Sequence, residues 1–233
     1  MLNLRDNNLF VEDVSFESLA ESFGTPCYVY SKHDLVKEFQ EYQEAFKDYP
    51  DTTICYSVKA NSNLSILKIF NSMGSGFDIV SEGELERVMR VGADPNKIVF
   101  SGVAKSYDEI KKAIEFGILF FNVESFDELK TINDISAELN LLARVSIRVN
   151  PDIDPKTHPY ISTGLKTSKF GISIDDAFDV YKKASEMKNI DIVGIDAHIG
   201  SQIFDLNPFQ DSLERLEALF FRLKSININI EFI

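Results

Sequence analysis

The sequence predicts an α/β fold in which parallel strands form an incomplete (β/α)8 barrel of the TIM type. From residue 51 onward, short apolar segments alternate with helical segments at a steady spacing. Short loops between such segments are typical of parallel strands joined by right-handed crossovers. Because seven strands are predicted after residue 50, we expect about seven of the eight strands of a barrel. An open, doubly wound sheet is the alternative fold.

The first 50 residues are predicted to form a lead-in before the barrel. A short helix is expected over residues 15–22, and residues 26–30 have the composition of a short strand. Apolar residues at helical spacing then predict a longer helix over residues 33–48. The barrel itself is expected to occupy residues 51–233.

Cap and turn residues indicate where the elements of the barrel begin and end. Three helices open with the S-x-x-E pattern of a capping box, at Ser81, Ser106 and Ser125. Three helices are followed by a glycine that can adopt a left-handed conformation, Gly74, Gly92 and Gly117. The predicted strands cover residues 52–59, 77–80, 98–101, 119–123, 144–150, 190–199 and 228–233. The predicted helices cover residues 63–73, 82–91, 107–116, 126–139, 175–187 and 208–224.

Composition limits the classes of partner and location. A net charge of −13 and a pI near 4.7 argue against nucleic acid or an anionic membrane surface as a partner. The two cysteines, Cys27 and Cys55, provide neither a disulfide framework nor a metal-binding spacing. The sequence has no apolar run of about 18 residues, so no membrane span is predicted. A reducing cytoplasm is the expected location.

Polar side chains follow one face of several predicted strands. In the strand 144–150, period-2 alternation places Ser146, Arg148 and Asn150 on one face. The same rule pairs Asp196 with His198, and Ser57 with Lys59. Strands buried inside an open sheet would be apolar on both faces. One polar face per strand therefore favours a barrel with a functional site in its upper lumen.

Lys59 is the first candidate for chemistry, because it stands at the carboxyl end of an apolar strand. Functional groups of α/β proteins are concentrated at this end of the sheet. A lysine amine kept neutral by burial or by a cationic neighbour can form an imine with a carbonyl compound. The alternative is a lysine that only extends from the strand end to solvent.

Four further polar residues lie near predicted strand ends. His198 could lie against a ring, and Ser201 with the preceding glycine could contact a phosphate. A core histidine and a turn or cap serine are the alternatives for these two positions. Asp78 and Arg148 could orient the site, and they could also form a buried ion pair between two strands.

The predicted connection from Pro151 to Gly171 is long for a barrel loop. Loops of this length are usually functional or disordered. Its mixture of polar and aromatic residues, which includes His158, favours an ordered loop over the site or at a subunit contact.

Six motifs in order resemble the pyridoxal-phosphate-dependent decarboxylases with the alanine-racemase fold. They are Tyr56–Asn61, Phe77–Leu85, Phe100–Ser106, Arg148–Pro151, Lys169–Gly171 and His198–Gln202. The segments His158–Gly164 and His198–Gln202 are similar to the diaminopimelate decarboxylase branch of this family. The resemblance covers the chain from about Thr25 to its end.

This resemblance implies a cofactor, a substrate and a role for each candidate residue. Lys59 would hold pyridoxal 5′-phosphate covalently, His198 would stack on its ring and Ser201 would help to bind its phosphate. Asp78 and Arg148 would support the lysine and the cofactor from beneath. The implied reaction removes the α-carboxylate of meso-2,6-diaminopimelate to give L-lysine. A related ornithine, arginine or carboxynorspermidine decarboxylase and a non-catalytic, cofactor-binding barrel are the alternatives.

The resemblance also implies parts that the sequence does not contain. In the family, a glycine-rich phosphate loop, substrate-binding residues and a cysteine supplied across a homodimer follow the segment that resembles residues 228–233. Residues 26–30 would belong to a second β domain. We therefore expect an N-terminal fragment that is poorly folded or inactive when it is isolated, because an unpaired strand edge exposes backbone groups.

Overall fold

The computed structural model describes residues 2–153 and 170–233. The chain begins with a three-stranded antiparallel sheet of β1 (Leu2–Arg5), β2 (Asn8–Val11) and β3 (Val14–Ser15). This sheet is absent from the elements predicted from the sequence, although Asp6 and Asn7 carry its signal. Both residues have positive φ angles, 48° and 63°, between paired Arg5 and Asn8. Two left-handed residues are the requirement of a tight hairpin turn.

Two helices follow this small sheet, α1 (Phe16–Phe23) and α2 (Lys32–Ala45). Both begin within one residue of the prediction, after the capping serines Ser15 and Ser31. The strand expected over residues 26–30 is not formed. Its backbone pairs with no strand of the described chain, and Tyr28 is 92 % exposed.

The main sheet is parallel, and its strands are neighbours in the order in which they occur along the chain. Its strands are β4 (Cys55–Ser57), β5 (Gly76–Ile79), β6 (Ile98–Phe100), β7 (Phe120–Val123), β8 (Ala143–Asn150) and β10 (Ile190–Asp196), with the short β9 (Ile172–Ser173) paired to the end of β8. A doubly wound sheet reverses its strand order at a switch point, whereas a barrel does not. The order β4-β5-β6-β7-β8-β10 has no reversal, which confirms the incomplete α/β barrel.

In the part of the chain that the structure describes, six helices cover the outside of this sheet: α3 (Leu64–Ser72), α4 (Glu82–Arg90), α5 (Tyr107–Phe116), α6 (Phe126–Leu139), α7 (Ile174–Ala184) and α8 (Asn207–Lys224). One continuous core joins them to the strands, with Leu85 and Leu129 of the helices and Ile147 of β8 fully buried. The capping box predicted at Ser106 forms with Glu109. Helix α6 ends at Asn140, which adopts the left-handed conformation that glycine adopts elsewhere.

Three predicted strands are shorter than expected by three residues or more, and two of these differences affect the site. The strand 52–59 ends at Ser57, and residues 58–60 form a 3-10 turn. Likewise, β10 ends at Asp196 rather than at residue 199. Strand alternation therefore does not describe where Lys59 and His198 lie relative to Ser57 and Asp196.

The last predicted strand, over residues 228–233, is reduced to one parallel bridge between Phe232 and Gly194 of β10. Two backbone hydrogen bonds of 3.0 Å, Phe232 N–H to Val193 and Ile195 N–H to Phe232, hold it in the position of a seventh barrel strand. A cavity of about 340 Å³ lies between this segment and the residues that precede β4. Its inner wall includes Asn122, Ser146 and Asp196, so the cavity is the barrel interior.

Candidate active site

The five predicted site residues lie at the carboxyl end of the parallel sheet. Asp78 is in β5 and Arg148 is near the end of β8. Lys59 follows β4, while His198 and Ser201 follow β10. The barrel topology therefore brings to one rim residues that are up to 142 positions apart in the sequence.

Asp78 is the acceptor at the centre of a hydrogen-bond network from four strands or strand ends. The Ser101 hydroxyl donates to Asp78 Oδ1 at 2.5 Å, and the Ser57 hydroxyl donates to Oδ2 at 3.3 Å. Asn122 of β7 extends the network, because its Nδ2 donates to Ser101 Oγ at 2.9 Å. These bonds fix the carboxylate in one orientation on the lumen side of the sheet.

Arg148 pairs with Glu124 rather than with Asp78. Its Nη1 lies 2.8 Å from Glu124 Oε1, and the Glu124 side chain is 3 % exposed. The ion pair between Asp78 and Arg148 that sequence analysis considered is therefore wrong. Glu124 was missed, although it directly follows the predicted strand 119–123 at the same end of the sheet as the other candidates.

Several buried polar atoms at this rim have no partner among the described residues. They are Arg148 Nε and Nη2, Glu124 Oε2, Asn122 Oδ1 and Asn150 Oδ1. Leaving a buried donor or acceptor unpaired costs about 1–3 kcal/mol for a neutral group and more for a charged one. Such a concentration of unpaired atoms around one lumen indicates a site that is built to receive a polar molecule.

The end of the long loop after β8 returns to this same rim. Asn150 Nδ2 donates a hydrogen bond to the Phe170 carbonyl, and the Arg148 guanidinium lies 5.5 Å from the centre of the Phe170 ring. Gly171 has a φ angle of +75°, and a Cβ there would meet Asn150 Oδ1 at 2.9 Å. A glycine is needed because the backbone passes so close to the site. The loop prediction itself, with His158 and Lys169, lies outside the described residues.

Lys59 is exposed at the edge of the rim. Within residues 2–153 and 170–233 it makes neither a hydrogen bond nor an ion pair. Its positive charge affects the pKa values of two neighbours, Glu84 and His198. Burial raises the pKa of Glu84, which accepts the Val80 N–H at 2.8 Å, and the charge of Lys59 opposes that rise. The lysine amine is therefore available to a ligand at a position next to a carboxyl group.

His198 and Asp196 have pKa values that are shifted by their surroundings. Crowding by protein atoms, followed by the positive charges of Arg148 and Lys59, lowers the pKa of His198 and favours a neutral imidazole. Burial raises the pKa of Asp196 to about 6, although Arg148 on the neighbouring strand opposes this shift. Perturbed groups in a lumen are a mark of functional sites.

Ser201 lies in an exposed turn after β10, directly after Gly200 with a φ angle of 142°. A hydroxyl beside a glycine suits contact with a phosphate, and it suits a turn equally well, so its role stays a prediction. No group of three or more histidine, cysteine or acidic residues in the described chain could hold a metal ion. None of the described helices is both long enough and apolar enough to cross a membrane.

Comparison with known proteins defines the class of this site. A family model described as "pyridoxal-dependent decarboxylase, pyridoxal binding domain" matches residues 32–233. The chain belongs to this family. The residues at the rim fit pyridoxal 5′-phosphate, because they combine an imidazole with a lysine and a buried arginine whose amine and two guanidinium nitrogens have no partner among the described residues.

The particular relatives are diaminopimelate decarboxylases. The chain is 51 % identical to the one from Pseudomonas aeruginosa over 97 % of its own length and 54 % of that protein. The solved structure from M. jannaschii in complex with L-lysine is 39 % identical, with a TM-score of 0.91 over 99 % of this chain and 55 % of that one. The Helicobacter pylori enzyme, also solved with L-lysine, is 45 % identical with a TM-score of 0.88 over 92 % of this chain and 54 % of that one. The chain thus spans about half the length of these relatives.

Proposed function

We propose that this chain supplies the cofactor-binding part of an enzyme that converts meso-2,6-diaminopimelate to L-lysine and CO2. The observation that carries the proposal is the rim where Lys59, Asp78, Glu124, Arg148 and His198 meet, within a chain that belongs to the pyridoxal-dependent decarboxylases. The substrate is inferred from relatives of about 50 % identity, among them the Pseudomonas aeruginosa enzyme.

Pyridoxal phosphate, when bound, withdraws the electrons that are released as the α-carboxylate leaves as CO2. The protein must hold the cofactor, orient the scissile bond and exclude water. Lys59 is the residue that we assign to covalent attachment, because it is the lysine at the rim whose amine has no partner among the described residues.

His198 is assigned to contact with the ring of the cofactor. A neutral imidazole can lie flat against an aromatic ring without adding a charge to it. Crowding by protein atoms and the neighbouring cations lower its pKa, so the neutral form predominates near pH 7. Ser201, which lies three residues after His198, is assigned to binding of the cofactor phosphate.

Asp78 and Arg148 are assigned to supporting positions beneath the cofactor. Asp78 is already fixed by the hydroxyls of Ser57 and Ser101, so it can orient Lys59 without a rearrangement. Arg148 is fixed by Glu124, and its Nε and Nη2 have no hydrogen-bond partner among residues 2–153 and 170–233. A buried guanidinium held in this way favours negative charge that develops nearby.

The proposal is tested by measuring CO2 release from a panel of amino acids. The protein that carries this chain, at its full natural length, is loaded with pyridoxal phosphate and given meso-diaminopimelate, L-ornithine or L-arginine. Release from meso-diaminopimelate alone, with L-lysine as the product, is expected. Preference for ornithine or arginine would select the related decarboxylases, and cofactor binding without any release would select the non-catalytic barrel.

Assembly and location are part of the same proposal. We infer a homodimer in the complete protein and a cytoplasmic location. Sedimentation of the full-length protein, with and without the cofactor, would measure the first, and fractionation of cells would measure the second.

A further inference from the structure

A second buried cation, Lys105, lies next to the site and has no part in the function proposed above. Its side chain is 1 % exposed, and Nζ donates three hydrogen bonds that use its full donor capacity. The acceptors are the Gly102 carbonyl at 2.6 Å, the Asn122 carbonyl at 2.8 Å and Glu128 Oε1 at 2.6 Å. Burial of an ammonium group is costly unless its donors are satisfied in this way, so its geometry is fixed.

Each acceptor of Lys105 belongs to a different structural element. Gly102 lies in the loop directly after Ser101, Asn122 is in β7, and Glu128 is in the first turn of α6. The ammonium group thus joins the ends of two neighbouring strands to the helix that follows them. The ammonium group therefore fixes the positions of these three elements, and of their side chains, relative to one another.

One side of this junction leads to Asp78. The backbone of Asn122 accepts a bond from Lys105, while its side chain donates to Ser101 Oγ. Ser101 in turn donates to Asp78 at 2.5 Å. The spacing of Gly102 and Asn122 therefore sets the position of Asn122 relative to Ser101, the hydroxyl that binds the Asp78 carboxylate.

The other side of the junction leads to Arg148. Glu128 binds Lys105 through Oε1, and its Oε2 accepts the backbone N–H of Glu124 at 2.9 Å. The side chain of Glu124 then pairs with Arg148 at 2.8 Å. Polar contacts therefore connect Lys105 to Arg148 through two intervening residues, Glu128 and Glu124.

We propose that Lys105 is a positioning residue that fixes Asp78 and the Glu124–Arg148 pair relative to each other, and so shapes the floor of the cofactor site. The assignment rests on the proposed function for its meaning, because the floor matters only if a cofactor binds above it. Lys105 itself touches neither the cofactor nor the substrate in this assignment. It acts through Glu128, Glu124 and Asn122.

The first test is the Lys105→Met variant, which keeps most of the length of the side chain and removes its charge. In the full-length protein we expect the dissociation constant of pyridoxal phosphate to rise and kcat to fall by about 10- to 100-fold, since small misplacements of supporting groups have effects of this size. KM for the amino acid should change far less. The matched control is Lys112→Met, which removes a partly exposed lysine that bridges Glu82 and Glu86. Cofactor binding and turnover equal to those of the control would overturn the proposal.

A double-mutant cycle distinguishes positioning from a general loss of stability. If Lys105 acts on Arg148 through Glu124, its removal should matter much less once Glu124→Gln has been introduced. Additive effects of Lys105→Met and Glu124→Gln on cofactor affinity would contradict this route. Glu128→Gln tests the same series of contacts at another position, because it weakens the Lys105–Glu128 ion pair with little change in side-chain size.

Hydrogen exchange of the cofactor-free protein makes the test independent of activity. In Lys105→Met we expect faster exchange of the Glu124 amide and of peptides within residues 120–128 and 146–150, with no change in α1 or α8. A uniform increase throughout the protein, or no increase in these peptides, would contradict the proposal. A wild type that binds no pyridoxal phosphate would instead count against the proposed function, and the exchange result would still decide whether Lys105 fixes Glu124.

Discussion

Two regions of the barrel differ in how their polar groups are held. We call strands β5 to β8 the closed arc, and β4 together with β10 and residues 228–233 the edge region. In the closed arc every strand has a neighbour on both sides, and Asp78, Glu124 and Arg148 are held by other side chains. In the edge region Lys59 has no partner in the described chain, and both His198 and Ser201 are exposed.

The difference separates two tasks of one site. The closed arc arranges its charges before any ligand arrives, which reduces the reorganisation needed on binding. The edge region carries the groups that we assign to direct contact with the cofactor, and these groups have to be accessible to it. The predictions below perturb one region at a time, from the largest expected effect to the smallest.

The largest effect is expected at the edge, from Lys59→Ala. This variant should lose both decarboxylation and retention of pyridoxal phosphate after gel filtration, because the covalent attachment is removed. In the absence of cofactor, its thermal unfolding should match that of the wild type, since Lys59 is exposed. Absorbance of the desalted protein and CO2 release are the measurements. The control is Lys68→Ala, an exposed lysine of α3, and a Lys59→Ala variant that retains the cofactor equally well would contradict the assignment.

Within the closed arc, Glu124→Gln should affect stability as well as binding. It leaves the Arg148 guanidinium buried without its carboxylate partner, and breaking a buried pair in this way costs about 3–5 kcal/mol. The double variant Glu124→Leu with Arg148→Met should recover most of this loss in the free energy of unfolding while cofactor binding stays weak. Denaturant unfolding of the three proteins provides the measurement. A single variant as stable as the wild type would show that the pair is not closed in solution.

Core packing should be similarly sensitive in the closed arc. Leu129 of α6 is fully buried against the strands, so Leu129→Ala should lower the free energy of unfolding by about 2–5 kcal/mol. Val14→Ala, at an exposed position of the N-terminal sheet, should change it by less than about 0.5 kcal/mol. The comparison is made by urea unfolding, and equal losses at the two positions would contradict the core described here.

A smaller effect is expected from substitution of Asp196, and it depends on pH. Its folded pKa of about 6 lies above the unfolded value of 3.8, so the folded state binds more protons between these values. The stabilisation is complete below pH 4 and is lost as the pH rises through 6. Asp196→Asn should therefore stabilise the cofactor-free protein at pH 7 by about 1–3 kcal/mol and have little effect at pH 4. A benefit that is greater at pH 4 than at pH 7 would contradict the raised pKa.

His198 has the opposite dependence. Its pKa is lowered, so the unfolded chain binds a proton more readily as the pH falls through about 6.5. Stability that is present above this pH is therefore lost below it. A His198→Gln variant should show a smaller loss of stability than the wild type between pH 7 and pH 5, and the difference would be read from thermal unfolding at several pH values.

Much of the closed arc could be predicted from the sequence. The helices 107–116 and 126–139 were predicted to the residue, because a serine at each start and, for the first helix, a glycine at the end are local signals. The alternation in β8 was equally local. It placed Arg148 on a polar face, although its partner Glu124 is 24 positions away and belongs to another strand end.

The edge region was harder to predict for a physical reason. Edge strands lack a second neighbour, so tertiary pairing decides how far they extend. Both β4 and β10 stop earlier than their apolar composition suggests, and residues 228–233 form one bridge only. The N-terminal sheet was missed because its turn, Asp6–Asn7, lacks the glycine that usually marks a hairpin.

The measurement that tests the central claim most directly is borohydride reduction of the full-length protein in the presence of pyridoxal phosphate, followed by mass mapping of its peptides. If Lys59 is the residue that holds the cofactor covalently, the reduced cofactor will be found on the peptide that contains Lys59. The Lys59→Ala variant will then carry no reduced cofactor. Label on the exposed control Lys68, or an even distribution over many lysines, would contradict a site built around Lys59.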